Sequence, residues 1–170
     1  MTMAKKEVTP QNSFELGTAA KKKLQENWQQ LVAISATLKK TEEPLDQRAF
    51  ENLQKVNLSL LKPFIQKLEK QYAARTVARY RNTLTFYLNE YLATQDDTLL
   101  SDNGNFVGEM YSAGVSRNEV KQAARGLQKF YVFLQQNDLI TVEQLADSKE
   151  TVKLSADSMG LGMGMLKEYF

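Results

Sequence analysis

From residue 18 onward the apolar residues of this chain recur every three or four positions, and no stretch alternates apolar and polar residues over the length of a strand. A period near 3.6 stacks side chains on one side of a helix, whereas a strand needs a period of two. The predicted fold class is therefore all-α. A first helix is predicted over residues 18–40, with Leu24, Trp28, Leu31, Ser35 and Leu38 on one side. A second begins near residue 45 and carries Phe50, Leu53, Asn57, Leu61, Phe64, Leu68 and Tyr72. Pro63 falls inside that stripe. Because an interior proline removes a hydrogen bond and clashes with the preceding turn, the expectation is a helix break there, with Pro63 in the first turn of a new helix.

Two aromatic-rich amphipathic helices follow. Over residues 74–93, Val77, Tyr80, Leu84, Tyr87, Leu88 and Tyr91 share one face, while Arg75, Arg79, Asn82, Phe86 and Glu90 share the other. The acidic, amide- and glycine-containing segments at 94–98 and 101–104 read as loop. A short helix over 105–112 ends at Gly114, a left-handed cap. Ser116 and Glu119 form a capping-box pattern that opens a helix over 117–137, whose core side is Val120, Ala123, Ala124, Leu127, Tyr131 and Leu134. Thr141 and Gln144 repeat the pattern and start a last helix, expected to break near Asp147 or Lys149. The tail 159–170, rich in Met and Gly, reads as a flexible turn or an apolar segment that packs on the body or a partner.

Composition removes several function classes. The 170 residues include no Cys and no His. Disulfides, thiolate metal sites, Cys nucleophiles and the commonest general base are thus absent. The acids Asp96, Asp97 and Asp102 lack the spacing of a calcium loop. The glycines at 160–164 follow no strand and lack the Lys-Ser/Thr of a phosphate loop. No catalytic residue, metal or cofactor is assigned. With no apolar run long enough to span a bilayer and no apolar leader, the expectation is a cytoplasmic protein without a membrane partner.

The net charge of +2 is small, but its distribution is uneven. Residues 62–81 hold six bases and one acid; residues 90–109 hold five acids and no base; residues 115–135 hold four bases and one acid. The four bases of the last stretch, Arg117, Lys121, Arg125 and Lys129, are spaced by four. Amides at Asn118, Gln122, Gln128, Gln135 and Gln136 fill much of the remaining polar surface. Lys and Arg suit phosphates, and Arg, Asn and Gln suit base edges. Arg75 and Arg79, supported by Lys67, Lys70, Arg81 and Asn82, form a second candidate set. Solvated helix faces would look the same. Phe86, alone among polar residues, is expected to pack beneath the N-terminal helices, which would cover part of the Arg75/Arg79 face.

Thr76, Tyr80, Leu84 and Tyr87, then Phe106, Tyr111 and Gly114, then Ser116, Val120, Leu127, Phe130, Tyr131, Phe133 and Leu134, closed by Asp138, Leu139 and Ile140, form an ordered set. It resembles the SAM-like core-binding domain of phage integrases and tyrosine recombinases. The resemblance covers about half the chain, and it implies a four-helix unit that grips DNA. About 30 residues follow it, without the histidines and arginine pair of a recombinase catalytic domain, so no catalytic role is carried over. The initial Met and the terminal helix lead us to expect a complete chain. The expected organisation is an N-terminal tail and helical pair (1–60), a SAM-like unit (61–142) and a C-terminal helical tail (143–170). The expected function is that of a non-catalytic accessory protein binding double-stranded DNA through Arg117, Lys121, Arg125, Lys129, Arg75 and Arg79. The alternative is a helical module that binds a protein partner and no nucleic acid.

Overall fold

The computed structural model describes residues 14–41, 46–91 and 103–158. Among these are six α-helices and no strand: α1 (Thr18–Thr41), α2 (Gln47–Glu69), α3 (Ala74–Phe86), α4 (Asn103–Ser112), α5 (Arg117–Gln136) and α6 (Val142–Ser158). A π-helical turn, Tyr87–Tyr91, prolongs α3. The protein is all-α. α1 packs along α2, α2 on α3, α3 on α5, and α4, α5 and α6 on one another. The expected loops at 94–98 and 101–102, the Ser35 and Leu38 side chains and the tail 159–170 lie outside the described residues, and α4 begins at Asn103, taking Asn103 and Gly104 into helix.

The helix break expected at Pro63 does not occur, and α2 runs through it. The missing N–H leaves the Ser59 carbonyl without its helical donor, and Ser59 is exposed, where water can serve it. On either side of the proline Leu60, Leu61, Phe64 and Ile65 are buried in one cluster. Each contributes roughly 1.5–3 kcal/mol of burial, against about 3 kcal/mol for an interior proline. Packing therefore outweighs the local penalty. The cluster extends from Phe14 to Val152, so residues on both sides of position 60 share it. At its centre Phe64 meets Phe130 and Phe133, each at 5.3 Å between ring centroids, and Phe14 at 5.6 Å.

All six residues of the predicted α3 stripe are buried, and all five on the opposite face are exposed. The stripe does not stay α-helical, however. Tyr87, Leu88 and Asn89 are consecutive and all buried, an arc wider than a normal stripe, and the wider π turn accommodates it. Asn57, the one polar residue in the buried stripe of α2, donates to Asn89 Oδ1 at 2.7 Å and to the Leu88 carbonyl at 3.3 Å. A buried amide left without such partners would cost about 1–3 kcal/mol.

Helix ends follow local chemistry. In α4, Val115 N–H bonds Met110 O and Gly114 N–H bonds Tyr111 O, with Gly114 at φ +82°. This is a Schellman cap. α5 ends the same way, with Leu139 bonding Leu134 and Asp138 bonding Gln135, but here Asp138 holds the left-handed position at φ +59°. Ser116 Oγ accepts from Glu119 N–H and donates to its carboxylate. Thr141 and Gln144 make both bonds of a capping box, at 3.0 and 2.9 Å, and α6 continues unbroken past Asp147 and Lys149 to Ser158.

The segment before α1 is tied to the far end of α5. Asn137, fully buried, accepts from Leu16 N–H at 2.9 Å and donates to Phe14 O at 3.0 Å and Phe133 O at 2.8 Å. Gln136 accepts from Phe14 N–H at 2.8 Å. Lys21 pairs with Asp138, and this hydrogen bond holds the ammonium pKa above the usual lysine value. A raised lysine pKa stabilises the fold at all pH below the unfolded value and ceases to do so as pH rises through the folded one. Leu24 and Leu31 of α1 are buried and Trp28 packs against the cluster, so α1 docks on the body.

Gly126 sits mid-helix in α5, where glycine costs about 1 kcal/mol relative to alanine. A Cβ here would stand 2.9 Å from Cδ1 of Tyr80, which is buried. Glycine is what lets α3 and α5 approach. Gly126→Ala is expected to lower stability by up to about 2 kcal/mol, the overpacking cost of about 1–3 kcal/mol less the propensity gain of about 1 kcal/mol. Urea unfolding would measure it, and a more stable variant would contradict the close approach.

Candidate nucleic-acid interface

Neighbouring side chains fix how α3 and α5 lie. Asn82, Thr83 and Phe86 share a groove with Val115, just before α5. Tyr80 abuts Gly126. Lys129 lies over the ring of Tyr72, in the turn before α3, at 5.2 Å. Later residues of α3 thus meet earlier residues of α5, and the two helices run antiparallel. On α3's other flank, Arg81 and Thr85 border α2 with Lys62 and Gln66.

At 100° per residue, the four-residue steps of the basic ribbon drift about 120° from Arg117 to Lys129. Measured from Gly126, which faces α3, Arg117 points to the opposite side of the helix. Arg125 and Lys129 lie on the flank beside α3, in line with Asn118 and Gln122. Only Arg117 of the ribbon is exposed; Lys121, Arg125 and Lys129 are partly covered. The ribbon is therefore not one surface. A different set is brought together: Arg125, Lys129, Asn118 and Gln122 on α5 beside Arg75, Arg79 and Asn82 on α3. Arg75, Arg79, Asn82 and Asn118 are exposed. Arg81 is drawn the other way, into a 3.3 Å ion pair with Glu69 across the α2–α3 turn.

Phe86 does not pack beneath the N-terminal helices. It is 48% exposed, its ring is 6.2 Å from that of Phe106 in α4, and α1 is engaged with α2. The reason is geometric: the stripe of α1 that would have to cover it is spent on α2. The outward face of α3 is therefore left open by α1.

No family model, curated protein or solved structure matches the chain. No group of three or more acidic side chains among the described residues is placed to hold a metal, and no helix among them is long and apolar enough to cross a membrane. Two features escape sequence reading. One is the α3–α5 seam, whose signal is the lone glycine in the middle of α5. The other is the apolar groove between α3 and α4, signalled by the lone Phe86 on a polar face.

Proposed function

We propose that this chain is a non-catalytic accessory protein with a SAM-like, recombinase core-binding-type arrangement, and that it binds double-stranded DNA along the seam of α3 and α5. The observation that carries this reading is the open outer face of α3, whose Arg75 and Arg79 lie beside Arg125 and Lys129 of α5. Guanidinium and ammonium groups there suit phosphate oxygens, and Asn82, Asn118 and Gln122 suit base edges.

Phosphate neutralisation makes affinity fall with salt. A duplex titration at two salt concentrations is expected to give steep salt dependence. Arg75→Gln and Arg79→Gln should each flatten the log–log slope by about 0.9 for every phosphate that is no longer neutralised. Arg117→Gln should leave the slope nearly unchanged, because Arg117 faces away from the seam. Absence of duplex binding at low salt would reject the reading, and an Arg117 effect equal to that of Arg79 would reject the seam.

A further inference from the structure

Apart from Asn82 on its border, the groove between α3 and α4 takes no part in the DNA reading. Its volume is about 420 Å³, and its lining is mainly apolar: Phe86, Tyr91, Phe106, Met110 and Val115. Single exposed apolar residues are ordinary on protein surfaces. A half-exposed phenylalanine set in a mainly apolar depression of this volume has the form of a binding pocket. Its walls are fixed rather than collapsed. The Schellman cap of α4 holds Met110 against Val115, and Phe106 is wedged between Tyr87, at 4.9 Å, and Tyr91, at 5.0 Å.

Charge and shape select the occupant. Among the described lining residues Glu109 is the only charged one, and Glu90 is exposed one turn beyond Phe86. The volume lies at the lower end of the range for binding pockets. It has room for two or three large side chains, not for a folded domain. A groove bounded by two helices, mainly apolar and with the exposed Glu109 carboxylate at its edge, matches the helix-in-groove mode of recognition, in which anchors one turn apart enter the groove. We propose that this groove takes two apolar side chains, one helical turn apart, from a partner's amphipathic helix whose flanks carry Lys or Arg.

The test uses the full chain and three synthetic helical peptides followed by fluorescence anisotropy. One has Leu and Phe four residues apart with Lys and Arg flanks, the second has Glu in place of the flanking bases, and the third is scrambled. The basic amphipathic peptide is expected to bind, with the acidic and scrambled forms at least about tenfold weaker, a difference of about 1.4 kcal/mol. Phe86→Ser should weaken the basic peptide by about tenfold or more. Since Phe86 is half-exposed, this variant should lower the melting temperature by only a few degrees, which would be measured alongside. Glu109→Gln should weaken binding less and should erase the preference for the basic over the acidic peptide. Arg79→Gln, in the DNA seam, should change nothing. The proposal is overturned if the basic peptide fails to bind, which is also the result expected were the groove filled by this chain's own segments. Equal binding of the acidic and basic peptides overturns it too. So does a dimer in sedimentation that Phe86→Ser dissolves, because that would make a second copy the occupant.

Discussion

Phe64→Ala is expected to lower the free energy of unfolding by about 3–5 kcal/mol. Phe64 is fully buried and lies at the meeting point of three other aromatic rings, Phe14, Phe130 and Phe133. Its removal takes away the burial of a large ring and leaves a cavity walled by rings that α5 and the N-terminal segment hold in place. Phe64→Leu should cost distinctly less, because it leaves a smaller void. Guanidinium unfolding monitored by far-UV circular dichroism would give both values. A loss below about 1 kcal/mol for the alanine variant would mean that the aromatic centre is able to collapse around the gap, contrary to the packing described.

Asn137→Leu is expected to cost about 3 kcal/mol, despite adding an apolar side chain to a buried site. Each buried polar group left without a partner costs about 1–3 kcal/mol, and this change deprives two of them, Leu16 N–H and Phe14 O, while Phe133 O loses the side-chain amide but keeps the backbone N–H of residue 137. The total falls short of two full penalties because the segment 14–16 is able to swing out and recover water. That escape has its own signature. Hydrogen exchange at the Leu16 amide should become fast while amides in α2 and α5 stay protected. Asn137→Asp should behave similarly, since a carboxylate still accepts from Leu16 but no longer donates to the two carbonyls. Unchanged protection at Leu16 in both variants would remove the clamp from the account.

Much of the helical core is legible in the sequence, because burial on a helix leaves a period. Val77 through Tyr91 on α3 and Val120 through Leu134 on α5 are readable from spacing alone, and both capping patterns from four-residue signatures. What escapes reading depends on partners distant in sequence. Pro63 shows only its local cost, whereas the residues that keep α2 continuous act by packing on α5 and the N-terminal segment. The π turn answers a pairing of Asn57 with Asn89, 32 residues apart. The same limit applies to the site. Arg117, Lys121, Arg125 and Lys129 look equivalent along the sequence, and only the side of α5 that meets α3 separates the last two from Arg117. Phe86 stands out as unusual in the sequence, but nothing near it says that α4, and not the N-terminal helices, is its neighbour.

The clamp at Asn137 also has a consequence for the order of events during synthesis. Phe14 and Leu16 are bonded to side chains 121 to 123 residues later in the chain. At a translation rate of about 5–20 residues per second, they wait roughly 6–25 s before their partners have even been polymerised. α1 can find α2 much sooner, so an early helical pair forms with its leading end untied. Through that interval Phe14 has neither Phe64's completed aromatic setting nor the α5 terminus to rest on. A nascent chain arrested before residue 137 should therefore be cut by protease near residues 14–16, and a full-length chain should not.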